Sequence, residues 1–82
     1  DEMKKYYLMA IENGNSNAMN NLGVYYQNIE KNYDEMKKYY LMAIEKGHLR
    51  AMKSLARYYN LVENNVELMK KYYLMALKSN KK

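Results

Sequence analysis

Apolar residues recur along the chain with a helical rather than an alternating rhythm. Met36, Tyr39, Tyr40, Ala43 and Ile44 fall at i, i+3, i+4, i+7 and i+8, and Ala51, Met52, Leu55, Tyr58 and Tyr59 form a second stripe of the same kind. At 3.6 residues per turn each set lies on one side of a helix, with the lysines, asparagines and carboxylates turned away. No two-residue alternation argues for a strand. Gly14 and Gly47 close the first kind of stripe, where a glycine in the left-handed region commonly ends a helix. Asn15, Ser16 or Asn17, then Asp34, then Asn64 or Asn65 stand where N-caps are expected. The pattern predicts five helices, near residues 2–13, 17–28, 34–46, 49–61 and 66–79. It also predicts a core containing Ala18, Leu22, Tyr26, Ala43, Ile44, Ala51, Leu55 and Tyr59.

The two stripes belong to a repeating unit. The word MKKYYLMA occurs at Met3–Ala10, Met36–Ala43 and Met69–Ala76, always 33 residues apart, and residues 1–33 match residues 34–66 at 20 positions. A helix pair of this size cannot bury its apolar stripes alone, so repeating the word repeats the interface through which neighbouring pairs cover one another. The expected architecture is all-α: an α-solenoid of antiparallel helix pairs in a right-handed superhelical stack. Residues 1–14 would be the second helix of one unit, 15–47 a full unit and 48–82 another. The chain opens on a second helix with no polar cap, which leads us to expect a piece of a longer array or one that packs on other copies, with Met3, Tyr7 and Ile11 exposed.

Composition narrows the options without changing this picture. The 82 residues contain no cysteine, which excludes a disulfide scaffold and a cysteine-ligated zinc site. The apolar runs are too short to span a bilayer and the first residues do not resemble a signal peptide, so a soluble, intracellular protein is expected, with no membrane partner. All 11 aromatic residues are tyrosines, and their place on the buried stripes favours core packing over a base-stacking platform; the methionines read as gap-fillers.

The residues Ala18-Met19-Asn20-Asn21-Leu22-Gly23-Val24-Tyr25-Tyr26 resemble the first helix of a Sel1-like or tetratricopeptide repeat, and Asp34 to His48, with Tyr39-Tyr40, Ala43-Ile44 and Gly47-His48, is similar to the second helix of a Sel1-like unit. The connection Asn28 to Tyr33 lacks the glycines usual in Sel1-like units, and the 33-residue length is nearer a tetratricopeptide repeat. The resemblance implies a protein-binding scaffold in which first helices line a concave surface. The inward positions it implies are Asn17, Asn20, Val24 and Gln27 in one unit and Arg50, Lys53, Arg57 and Asn60 in the next. Lys53 and Arg57 match the Lys–Arg pair with which some tetratricopeptide domains grip a peptide carboxylate, although Asn20 and Val24 do not complete the second half of such a clamp.

Candidate chemistry points the same way. The single histidine, His48, has no nucleophile beside it in sequence and sits at a helix boundary. The carboxylates Asp1, Glu2, Asp34, Glu35 and Glu67 open helices, where negative charge favours the dipole. No phosphate-binding loop is present and no cofactor is implied, so a non-enzyme is expected. Arg50, Lys53 and Arg57 share one helix face over about 10 Å with no acid at i+4 to pair them. An acidic partner would relieve their mutual repulsion. The Lys37-Lys38 pair and its copies read as a solvated face. Net charge climbs from −1 over residues 1–33 to +2 over 34–66 and +4 over 67–82. Three roles follow: a scaffold for an acidic or carboxylate-bearing peptide, a structural element that self-associates through its ends, and a nucleic-acid binder. The last is disfavoured because the bases are spread over several surfaces.

Overall fold

The computed structural model describes residues 2–80; Asp1 and the basic pair Lys81-Lys82 named above lie outside the described residues. Five α-helices follow in order: α1 (Glu2–Glu12), α2 (Ser16–Tyr25), α3 (Tyr33–Glu45), α4 (Leu49–Leu61) and α5 (Val66–Asn80). No strand occurs among the described residues. Each helix packs against the next, and the Cα atoms fill a slab of 35 × 30 × 13 Å.

The punctuation is repeated as closely as the words are. Gly14 (φ 81°) and Gly47 (φ 79°) are left-handed. In both places the glycine N–H and the following N–H bond back to the last helical carbonyls: Gly14 to Ile11 and Asn15 to Ala10, Gly47 to Ile44 and His48 to Ala43. That is the Schellman arrangement. The next helix is then capped by the residue after the glycine. Asn15 Oδ1 accepts from the Ala18 N–H at 3.0 Å, and His48 Nδ1 accepts from the Ala51 N–H at 3.2 Å. At the other connection Asn32 and Asn65 accept from Glu35 and Leu68. Asn32, not Asp34, is therefore the cap of α3; Asp34 lies in its first turn.

The glycine-poor connection is resolved by a device that has no sequence signature. After α2 the chain widens into a π-helical turn, Tyr26–Glu30, and Lys31 then takes the left-handed region at φ 54°. Asn64, one repeat later, does the same at φ 52°. The Asn32 N–H reaches the Tyr26 carbonyl and the Asn65 N–H the Tyr59 carbonyl, so the two connections close alike.

All eight residues named for the core are buried, joined by Met19, Tyr25, Met36, Tyr39, Tyr40, Met52, Ala56, Tyr58, Tyr72 and Ala76. Tyrosine rings couple successive helices with the repeat's own spacing. Tyr26 stacks on Tyr39 at 5.8 Å and Tyr59 on Tyr72 at 5.9 Å. The expected exposure on α1 is corrected in part. Met3 is exposed, but Tyr7 and Ile11 pack on the core, and the apolar residues facing outward beside Met3 are Tyr6, Leu8 and Met9. Tyr6 is exposed, whereas its counterpart Tyr39 is buried and stacked on Tyr26.

Candidate partner-binding surface

Two sets of charged residues behave in opposite ways. The first is locked into the fold. Lys4 Nζ lies 2.8 Å from Glu30 and over the rings of Tyr25 and Tyr26, while the Tyr25 hydroxyl donates to the same carboxylate at 3.1 Å. Thirty-three residues on, Lys37 lies 2.6 Å from Glu63 and over Tyr58 and Tyr59, and the Tyr58 hydroxyl donates to Glu63 at 2.6 Å. Each clasp ties the start of one helix to the end of the next, with Glu30 in the π-helical turn after α2 and Glu63 in the connection after α4. The Lys37 side chain is 28% exposed, so it is not the freely solvated lysine that its place in a Lys-Lys pair suggests.

Proton affinities follow from these contacts. The hydrogen bond to Glu63 raises Lys37 above the ordinary lysine value. The bonds from Lys37 and Tyr58 hold Glu63 below the ordinary carboxylate value, and Lys4 does the same for Glu30. Burial, helped by the neighbouring carboxylate, pushes Tyr58 up to about 12.

The second set is free of such ties. Arg50, Lys53, Arg57 and Asn60 are exposed on α4, and among the described residues none of the three cations enters an ion pair. Asn17 is also exposed, and its Oδ1 lies 2.7 Å from His48 Nε2. Because His48 Nδ1 accepts the Ala51 N–H, the ring is neutral with its proton on Nε2, which donates to Asn17. Burial and the nearby Arg50 lower the His48 pKa in keeping with that state. Asn17, His48, Leu49, Arg50 and Lys53 border one hollow of about 390 Å³ where the starts of α2 and α4 meet.

The remaining positions implied by the repeat resemblance are placed differently. Asn20 is only 2% exposed and its Oδ1 has no hydrogen-bond partner, so it does not offer itself to a ligand as expected. Val24 is half-buried against the core, and Gln27 accepts the Tyr40 hydroxyl at 2.9 Å. Thus the stripe on α2 is largely inside and the stripe on α4 is outside. Helix α4 packs on α3 and reaches α2 through its cap, where His48 bonds Asn17.

Two further hollows bear on partners. One, about 600 Å³, runs between α3 and α5 and is bordered by Lys38, Leu41, Met42, Lys71 and Met75 among others. A smaller one, about 290 Å³, lies between α4 and α5 and is bordered by Lys53, Tyr73, Ala76 and Leu77. Among the described residues no cluster of three or more histidine and carboxylate side chains could hold a metal ion, and no helix is long and apolar enough to cross a membrane. Comparison with protein-family models, curated proteins and solved structures yields no match.

Proposed function

We propose that the chain is a non-enzymatic protein-binding scaffold, a right-handed α-solenoid of the Sel1-like or tetratricopeptide kind, whose α4 stripe of Arg50, Lys53 and Arg57 takes an acidic or carboxylate-bearing peptide segment. One observation carries this reading. Lys4 and Lys37, at matching places in the repeat, are neutralised by Glu30 and Glu63, whereas the three α4 cations stand together, exposed and without acids. Charge-assisted hydrogen bonds from such a group would hold a carboxylate with geometry as well as charge. The solenoid part of the reading is supported by contacts that recur 33 residues apart, the tyrosine stacks and clasps above all.

The test is a peptide titration. Lys53→Ala with Arg57→Ala should weaken an acidic peptide at least tenfold, while Lys70→Ala, an exposed lysine on α5, should leave binding unchanged. Single-stranded nucleic acid in the same assay separates the alternative: its affinity would fall steeply with salt, and every lysine removed would reduce that slope. If the double variant binds the acidic peptide like the parent, the stripe is a solvated surface.

A further inference from the structure

The hollow between α3 and α5 is built from letters that recur. Eight residues border it, and each has the same residue 33 positions earlier. Tyr72 forms its floor: the residue is buried and its ring is stacked on Tyr59 of α4, which closes the slot underneath. Met42 and Met75 are half-buried along the sides, and Leu41 stands 42% exposed at the rim. Helices that follow do not cover such a slot. The counterpart residues lie on α1 and α3, and with α4 and α5 after them Leu8 is still 40% exposed and Lys5 and Lys38 are exposed.

The slot has a charged end of each sign. Lys38 and Lys71 border it from the two helices, each ammonium lying over the next tyrosine ring, 5.2 Å from Tyr39 and 5.3 Å from Tyr72. Among the described residues neither lysine enters an ion pair. Glu45 borders the slot two turns of α3 beyond Lys38, about 10 Å away at 1.5 Å per residue. The lining between them is apolar.

We infer that this slot binds a single-chain aliphatic carboxylate, a fatty acid of medium length, with its head at Lys38 and Lys71 and its chain along Leu41, Met42 and Met75. Two ammonium groups without acids select an anionic head and meet it with charge-assisted hydrogen bonds. Glu45 repels a carboxylate from the opposite end, so the ligand has one orientation. The methionines, unbranched and polarisable, adapt to a flexible chain. An acyl chain also suits the apolar lining better than a peptide does, because it brings no backbone N–H and C=O groups to be left unsatisfied there. The slot shares no residue with the α4 stripe, and its ligand is independent of the peptide reading above.

Hexanoate, octanoate and decanoate, each below its micellar concentration, would be titrated into the full chain with its leucine and methionine methyl groups labelled for NMR. Saturable shifts are expected at Leu41, Met42 and Met75, with affinity rising roughly threefold for each added methylene that is buried. Lys38→Ala with Lys71→Ala should weaken decanoate roughly tenfold. Leu41→Asn should weaken it about fivefold by removing the apolar rim, while Lys70→Ala, which deletes a neighbouring charge outside the slot, should change nothing. All of these side chains are exposed, so their replacement leaves the fold intact. Decyltrimethylammonium, with the same chain and a cationic head, should not bind. Equal affinity for the two heads would overturn the carboxylate reading, and shifts spread over all the labelled methyls, or absent from the slot, would overturn the site. Shifts at the same methyls that grow with protein concentration alone would assign the slot to a second copy of the chain. Binding to phosphatidylglycerol vesicles but to no monomeric fatty acid would assign it to a membrane surface, and either result would overturn the proposal.

Discussion

The α2–α3 and α4–α5 grooves have nearly the same floor and quite different walls. Tyr39-Tyr40 and Ala43 recur as Tyr72-Tyr73 and Ala76, but Asn20, Gly23 and Val24 become Lys53, Ala56 and Arg57. Gly23 is the residue that matters most for packing. A Cβ placed there would stand 2.6 Å from the Tyr40 ring, so the missing methyl is what lets that ring lie against α2. Ala56 carries the methyl, and Tyr73 stands further into solvent. Residues that repeat hold the fold, and the differences are concentrated on the first helix of each pair. A repeat protein can therefore keep one interface constant while each unit is given its own surface.

The largest expected effects probe whether the two layers are equivalent. Leu22 and Leu55 are both fully buried counterparts, and Leu22→Ala and Leu55→Ala should each cost about 2–5 kcal/mol, since a cavity in a core of few layers closes only in part. Reversible urea melts measure both. A loss below about 0.5 kcal/mol at either site would show that layer to be open and would break the equivalence.

The next effect sharpens the contrast at the wall. Gly23→Ala should destabilise by about 1–3 kcal/mol through overpacking against Tyr40, outweighing the helix-propensity gain of at most about 1 kcal/mol. In a Tyr40→Ala background the same substitution should become neutral or stabilising. A double-mutant cycle with no coupling would mean that the ring does not depend on the glycine.

The smallest effect concerns what the two units share. Lys37→Ala should cost on the order of 1 kcal/mol, the sum of a partly exposed ion pair and a cation–π contact. The clasps also give stability a pH profile. Glu30 and Glu63 have lowered pKa values, so their contribution is present above the unfolded carboxylate value of 4.5 and is lost as pH falls through the lower folded values. Lys37 and Tyr58 are raised, so theirs is present at neutral pH and lost on the alkaline side, for Tyr58 between 10 and about 12. Melts at acid, neutral and alkaline pH should show a neutral optimum, and Lys37→Ala should flatten both limbs. An unaltered profile in that variant would mean that the clasp is ornamental.

Much of the fold could be read directly because its signals are local and redundant. The 3.6-residue stripes located the helices and the core, and Gly14 and Gly47 marked two ends that only a left-handed residue closes so tightly. The connections after α2 and α4 were illegible because Lys31 and Asn64 do there what glycine usually does. Lys37 and Lys38 look alike as letters, and only packing decides that Lys37 swings onto Tyr58 and Glu63. One clue was nevertheless present: Lys4, Glu30, Lys37 and Glu63 are spaced so that each acid keeps its distance from its lysine in both units. Asn20 was misplaced because its burial is decided by tertiary packing, which no single-helix pattern reports.

The paired tyrosine stacks recur in a fixed step. Tyr26 meets Tyr39 and Tyr59 meets Tyr72 across the same 13-residue reach, and the stacks themselves are 33 residues apart. A block of that length spliced in at a unit boundary would bring its own stack and its own clasp, and would find at each junction a surface already written to receive it. One residue more or fewer inside a helix would turn the rest of that helix by about 100° and present lysines where rings are needed. Length changes in steps of 33 residues are the ones that would keep every tyrosine pair in register.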